Sequence, residues 1–367
     1  MTARFAVIGG GIAGSAACLA LARAGEAPVW LAPPEDRTGP KPGEHLSPAA
    51  RPLLEGLGAA DLLDHPAHRA GHLVCSAWSS RALAERHGIQ HPLGPPLVID
   101  RRRFEADLAE RAIEAGAEHR PAALREIRAE AGIWQIETDA SPLEAECVID
   151  ATGRSARLAG RLGQRFQADR LVASALVLQA QTALRPVTVI EASAAGWWYL
   201  TVLADGAAML MFFSDADLMP GPLARDASAL LAAAAETDHI GAFLAENDCR
   251  PAAARPVLSP AGTAWIAPAC GPGWLAIGDA GAAFDPLSSH GMTTALWSAV
   301  TAARALVARD RQGVARYAAD LARGVKTFLS ERRAIYAQVH RFSTKPFWQR
   351  RTNMRTETAE PEMAASP

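Results

Sequence analysis

Near the N-terminus, Gly9-Gly10-Gly11-Ile12-Ala13-Gly14 fits G-x-G-x-x-G. Glycines at this spacing let a backbone close on a pyrophosphate, which then rests on the N–H groups that open a helix. The string alone is weak evidence: with 29 glycines in the chain, chance supplies about 0.2 such patterns. Its context is stronger, because Phe5-Ala-Val-Ile8 precedes it as an apolar run and small residues from Ile12 to Ala24 follow. That frame points to a dinucleotide site over a plain strand–helix turn. An acidic residue about 20 positions on usually takes the adenosine ribose. Ala32 stands there instead, and Glu35 and Asp36 lie just beyond, where they could substitute from the loop.

A second block runs from Gly273 to Met292 and sets Gly278-Asp279 after an apolar strand and Asp285-Pro286 before a helix. Asp279 reads either as a ligand contact or as a helix cap, and His290 as an active group or a solvated turn residue. Three shorter blocks accompany it: Pro42-Gly43-Glu44-His45, Arg101-Arg-Arg-Phe104, and Asp150-Ala-Thr-Gly153-Arg154-Ser155.

The elements that must position these residues follow from periodicity. Phe5–Ile8 and Pro28–Leu31 read as buried strands around a helix from Ile12 to Ala24, a βαβ unit. Helices are expected over 48–63, 102–115 (with Phe104, Leu108 and Ala112 on one face), 228–244, 291–309 and 314–341. Residues 64–96, with four prolines and five histidines, read as a loop, and 122–150 as strands. Long β-like runs between about 170 and 215 mark a change of architecture. The tail after Asn353 has no apolar periodicity and is expected to be disordered.

At 367 residues the chain fits two domains, or one carrying an insert. With 49% hydrophobic and 21% charged residues it reads as globular, and a net charge of −2 argues against nucleic acid as a partner. Only Lys41, Lys326 and Lys345 among 37 basic residues are lysines, a bias best assigned to a GC-rich genome. Five scattered cysteines suit a reducing compartment and no disulfide framework. The apolar start from Phe5 to Ala22 contains three consecutive glycines and lacks a cleavage site, so it is not read as a signal peptide. The expected location is cytoplasmic, without a membrane span. Neither H-E-x-x-H nor G-x-S-x-G occurs, so neither a metal site nor a hydrolase elbow is expected.

The blocks together resemble the flavin-dependent monooxygenases and the related flavin-dependent halogenases, from Phe5 to about Arg351. The resemblance implies an α/β fold: a Rossmann-like FAD-binding domain of the aromatic-hydroxylase type, a β-sheet substrate domain and C-terminal helices. The composite FAD domain would span 1–170 and 255–325, the insert 171–254, the C-terminal helix 326–352 and the tail 353–367. FAD would be held by Gly9, Gly11, Ile12, Ala13, Gly14, Glu44, Arg101, Gly278, Asp279, Pro286, Ser289, Gly291 and Met292. Arg101 would approach its phosphates or ribityl chain, unless it serves only helix solubility. The helix N–H groups at Gly291 and Met292 would stabilise the anionic edge of the reduced ring.

Within the family the chain is most similar to flavoproteins that oxidise a tryptophan of a partner protein to build a tryptophylquinone. The matching segments are Ser47-Pro-Ala-Ala-Arg-Pro52, Gly196-Trp197-Trp198-Tyr199, Phe213-Ser-Asp215-Ala-Asp217-Leu218 and Pro346-Phe-Trp348-Gln-Arg-Arg351. The implied reaction is hydroxylation of an electron-rich ring through a C4a-hydroperoxyflavin, with O2 as co-substrate and NAD(P)H or reduced flavin as electron source. No second nucleotide fingerprint is present, so the donor reacts in passing or a separate flavin reductase serves the enzyme. His45 and His290, which titrate near neutrality, are the candidate bases, and Glu44 would orient either one. Trp197, Trp198, Tyr199, Phe212 and Phe213 would keep the site dry, or simply form a sheet core.

Three other readings stand beside this one: a small-molecule aromatic hydroxylase, a halogenase, and a non-catalytic flavin scaffold. Halogenation in the family uses an active-site lysine and a Trp-x-Trp-x-Ile-Pro segment. Here no lysine lies between 42 and 325 and Trp197-Trp198-Tyr199-Leu200 is not that segment, which disfavours halogenation. For a protein substrate, the 64–96 loop and Arg323, Arg332, Arg333 and Arg341 are candidate docking surfaces.

Overall fold

A computed structural model describes residues 2–34, 41–71, 73–87 and 93–352. Glu35, Asp36 and the expected disordered tail lie outside them. The first sheet runs in the order Cys270–Gly271, Trp274–Ala276, Leu143–Asp150, Ala3–Ile8, Val29–Leu31, Glu118–Arg120. Every pairing from Trp274–Ala276 to Glu118–Arg120 is parallel. Phe5, Ala6, Val7 and Ile8 are all buried, as a parallel strand covered on both faces requires. The helices Ile12–Arg23, Arg101–Glu114 and Gly291–Val307 cover one face. The other packs under Leu124–Glu130 and Ile133–Thr138, a hairpin added antiparallel to Leu143–Asp150.

The second sheet is mostly antiparallel, in the order Arg250–Pro251, Leu171–Gln179, Ala208–Asp215, Gly196–Val202, Thr188–Ser193, Leu73–Ala77, Ala84–His87. Val257–Pro260 pairs beside Leu171–Gln179. Two of these strands come from the segment expected to be a loop, and Leu73–Ala77 joins Thr188–Ser193 in parallel. Ala84-Glu85-Arg86-His87 is exposed at every position, so it has no apolar alternation that could announce a strand. The sheet therefore draws on residues outside 171–254 on both sides.

The helix expected over 228–244 is two helices, Ala227–Ala235 and His239–Asn247. Buried Glu191 causes the break. Its carboxylate accepts from the N–H groups of Asp238 (2.9 Å), His239 (3.1 Å) and Ile240 (3.1 Å), taking the anion position at the second helix's start.

The described residues end in the long helix Arg311–Ala337, which packs Tyr317, Leu321 and Val325 into the first core and only its Tyr336 end against the second sheet, and in the short helix Pro346–Thr352, packed against the second sheet. Tyr336, Phe347 and Trp348 bury against Trp78, Trp197 and Phe213, with Trp348 Nε1 donating to Ser193 O (2.9 Å). The arginines expected on a docking surface are partly structural. Arg332 is buried and ion-paired to Asp285 (3.0 Å) and Asp169. Arg341 donates to the carbonyls of Ala77 (2.8 Å) and Ala192 (3.0 Å), and Arg323 pairs with Asp320 on its own helix. No described helix is long and apolar enough to cross a membrane.

Candidate active site

The glycine loop sits where the first strand meets the first helix. Gly9 has φ +125°, and a Cβ there would lie 2.1 Å from Ala151 O. A Cβ at Gly14 would lie 2.0 Å from Gly9 O. Gly11 differs: a Cβ would meet nothing within 4 Å. It caps the helix Ile12–Arg23 without any side-chain hydrogen bond, and no acidic residue occupies the first turn. The result is an open, positively polarised helix start, with free space beside Gly11, which fits a pyrophosphate.

The second block packs directly on the first. Gly278, at φ +56°, places its missing Cβ 2.8 Å from Ala13 Cβ, and its N–H donates to Ser298 Oγ (2.8 Å). Asp279 follows in a crevice, its side chain still 36% exposed, with Arg154 Nε 3.5 Å away. The crevice walls push its carboxyl above the ordinary range, and Arg154 and Arg101 partly offset this. Arg154 also donates to the carbonyls of Gly262 and Phe284. Asp150 holds the adjoining turn: it is fully buried and accepts from Thr152 N, Thr152 Oγ1, Leu158 N and Ala159 N at 2.7–2.9 Å.

Arg101 reaches back to the 42–44 segment, donating to Pro42 O, and pairs with buried Glu105 (2.9 Å), which also binds Lys41. The segment is thereby fastened over the crevice rather than left to hang from it. Pro286, Ser289, His290 and Gly291 are exposed at the start of the helix Gly291–Val307, with Met292 buried just inside. Ser289 takes φ +52° to turn the chain into that helix. Asp285, fully buried behind the loop, accepts from Leu287 N (3.1 Å) and Tyr336 Oη (2.8 Å) as well as from Arg332.

Glu44 and His45 belong to a different cluster from His290. Glu44 is buried, accepting from Gly43 N (2.9 Å) and from the Tyr199 hydroxyl. His45 turns its Nε2 toward Thr188 Oγ1 (3.1 Å) and Thr201 Oγ1 (3.4 Å), which bond each other at 2.7 Å. Nothing in sequence marks these threonines, which lie more than 140 residues from His45. Tyr199 is legible only as one of an aromatic run. Of that run, Trp198 and Phe212 pack at 4.5 Å beneath the helices Ala227–Ala235 and His239–Asn247 as sheet core. Trp197, Phe213 and Tyr199 face the other way, with Trp197 and Phe213 stacked at 3.8 Å.

Burial lowers the His45 pKa below its ordinary value of 6.5; Glu44 opposes this and Arg69 adds to it. A histidine depressed in the folded state carries stability that is present above pH 6.5 and is lost as pH falls through its folded pKa. Thermal melts of wild type should therefore fall from pH 7 toward pH 5, and His45→Gln should flatten that part of the curve. An unchanged slope would show that His45 titrates as it does when unfolded.

A glycine cradle packed on a Gly-Asp crevice, with a polar cluster tying both to an aromatic sheet, defines the class of protein. It is an FAD-dependent oxidoreductase of the monooxygenase type. The chain belongs to the tryptophan halogenase family, whose profile matches residues 72–365. LodB of Marinomonas mediterranea, named as an FAD-dependent oxidoreductase, is 28% identical over 362 residues, 94% of this chain and 95% of its own. Two solved structures share the fold. The peptidyl tryptophan dihydroxylase QhpG, essential for tryptophylquinone cofactor biogenesis, has a TM-score of 0.78 at 24% identity, covering 100% of this chain and 80% of that one. The myxobacterial chondrochloren halogenase CndH has a TM-score of 0.85 at 20% identity, covering 97% and 87%.

Proposed function

We propose that this enzyme hydroxylates a tryptophan side chain of a partner protein, as a step in building a tryptophylquinone. The observation that carries hydroxylation over halogenation concerns lysine. The chain has none between 42 and 325, and Lys41 is ion-paired to buried Glu105 beside Arg101. A protein substrate is supported by the fold shared along the whole of this chain with QhpG, a peptidyl tryptophan dihydroxylase.

In this reading, residues 1–170 and 255–325 hold the cofactor, 171–254 with the strands from 73–87 face the substrate, and 326–352 clamps the two. The N–H groups from Gly11 to Ala13 take the pyrophosphate between the close-packed Gly9 and Gly14. Gly278 permits the approach of the crevice, and Asp279 and Arg101 line it. Pro286, Ser289, Gly291 and Met292 form the edge against the ring. When bound and reduced, FAD supplies the activation of O2. Trp197 and Phe213 wall off water on one side. Glu44 takes the proton that the aromatic ring sheds as it is hydroxylated, and His290 stands at the exposed mouth.

Oxygen uptake by the reduced holoprotein tests the substrate class. A tryptophan-containing polypeptide should be consumed faster than free tryptophan and gain oxygen by mass spectrometry. Preference for the free amino acid would move the assignment to a small-molecule hydroxylase.

A further inference from the structure

The parallel strands Ala3–Ile8, Val29–Leu31 and Glu118–Arg120 present their carboxyl ends side by side at the rim of the glycine loop. In open α/β sheets a dinucleotide lies along that rim, and an acid at the end of the second strand usually takes the adenosine ribose. Ala32 occupies that position and has no polar side chain. Its N–H is spent on Arg120 O (3.2 Å). Its Cβ lies 3.0 Å from where a Cβ on Gly10 would stand, so it faces the glycine loop. One side chain does reach Ala32 here: His119 Nε2 lies 3.3 Å from Ala32 O. A carbonyl oxygen only accepts, so Nε2 carries a hydrogen, and in the neutral ring Nδ1 is left as an acceptor. The ring packs on Trp30, with centroids 4.9 Å apart. Trp30 is buried and pinned by its Nε1 donating to Gly9 O (2.9 Å). Trp30 and Ala32 share a face of their strand, and His119 is the register partner of Trp30, which sets His119 on the glycine-loop side. Arg120 pairs with Leu31 on the opposite face, where its Nε donates to Glu118 (2.8 Å). His119 is exposed despite these two contacts.

We propose that His119 binds the adenosine ribose of FAD, its Nδ1 accepting from a ribose hydroxyl in the role of the carboxylate that Ala32 lacks. The proposal rests on the pyrophosphate position at Gly11–Ala13 given above and is independent of the substrate. Ala32 and Trp30 fix the ring in advance, so little freedom is lost when the hydroxyl binds. A neutral acceptor also brings no further negative charge toward the pyrophosphate. The contact favours FAD over a flavin without adenosine, such as FMN.

Flavin fluorescence titration of the flavin-stripped full chain tests this with FAD and with its 2′,3′-dideoxyadenosine form. Wild type should bind FAD roughly 2- to 13-fold more tightly than the dideoxy form, the scale of one neutral hydrogen bond. In His119→Ala that preference should vanish, while FMN binds the variant and wild type alike. Both forms of FAD are read on the same variant, so a change in its folding stability cancels. A preference that survives in His119→Ala would overturn the proposal, as would wild type binding the two forms equally. If Arg120→Ala or the Glu35→Ala/Asp36→Ala double variant loses the preference and His119→Ala keeps it, the ribose belongs to those residues and the proposal fails. Gly11→Ala separates the two readings. Wild-type FAD affinity in that variant would remove the pyrophosphate position, and the preference in His119→Ala would still decide the ribose contact.

Discussion

Gly14→Ala is expected to purify without flavin and to regain little when FAD is added. The new Cβ would lie 2.0 Å from Gly9 O, a contact that no rotamer change can relieve because both atoms belong to the backbone frame. The loop must shift, and Gly9 itself is already pressed against Ala151 O and held by Trp30 Nε1 donating to its carbonyl at 2.9 Å. Backbone strain of about 1–3 kcal/mol is the usual scale. At about 1.4 kcal/mol per tenfold, that weakens FAD binding by roughly 5- to 140-fold. Gly11→Ala is the informative partner. Its Cβ meets nothing in the protein and its φ of −83° suits alanine, so the FAD-free protein should melt like wild type. FAD titration should nevertheless be weaker, because the methyl group occupies the space left for the pyrophosphate. Gly11→Ala with wild-type affinity would place the pyrophosphate elsewhere.

Arg332→Ala is the second large effect. Arg332 is 3% exposed, and its guanidinium joins Asp285 of the loop before the helix Gly291–Val307 to Asp169 at the entry to the second sheet. Burial alone works against its charge, yet Asp285 and Asp169 outweigh that and raise its pKa. The same Asp285 oxygen accepts from Tyr336, whose hydroxyl in turn accepts from Trp197 Nε1 at 3.1 Å. Removing the arginine strips the cation from two buried carboxylates, which costs about 3–5 kcal/mol. The melting temperature should drop by about 5–10 °C. The 286–292 edge should loosen with it, so FAD affinity should fall even below the melt. A melt unchanged from wild type would mean that the carboxylates are solvated in the variant and that the clamp is dispensable.

What was legible in sequence is what depends on local backbone chemistry. Gly9, Gly14 and Gly278 are glycines because another backbone or side chain stands where a Cβ would go, and that need produces recognisable strings. The parallel strand Ala3–Ile8 and the Cys147-Val148-Ile149 end of Leu143–Asp150 announce themselves because burial makes them apolar. Three things were not legible, and each depends on residues far apart in the chain. Tyr199 meets Glu44 across 155 positions, and nothing near either residue predicts the other. Arg332 sits in a helix with other arginines on exposed positions, so its burial shows only once Asp169 and Asp285 are folded against it. Ala84–His87 became an edge strand through pairing with Leu73–Ala77, not through its own pattern. The base assignment divided in the same way. His45 and His290 are equivalent as sequence signals, yet one is enclosed with Thr188 and Thr201 and the other stands exposed at a helix start.

The central claim is oxygen insertion into a tryptophan of a polypeptide. The most direct test supplies reduced flavin, heavy-isotope O2, chloride and bromide together with a tryptophan-containing protein substrate, then locates the modification by mass spectrometry. The account predicts heavy oxygen on the tryptophan ring and no halogen. Halogen on the ring without heavy oxygen would contradict it.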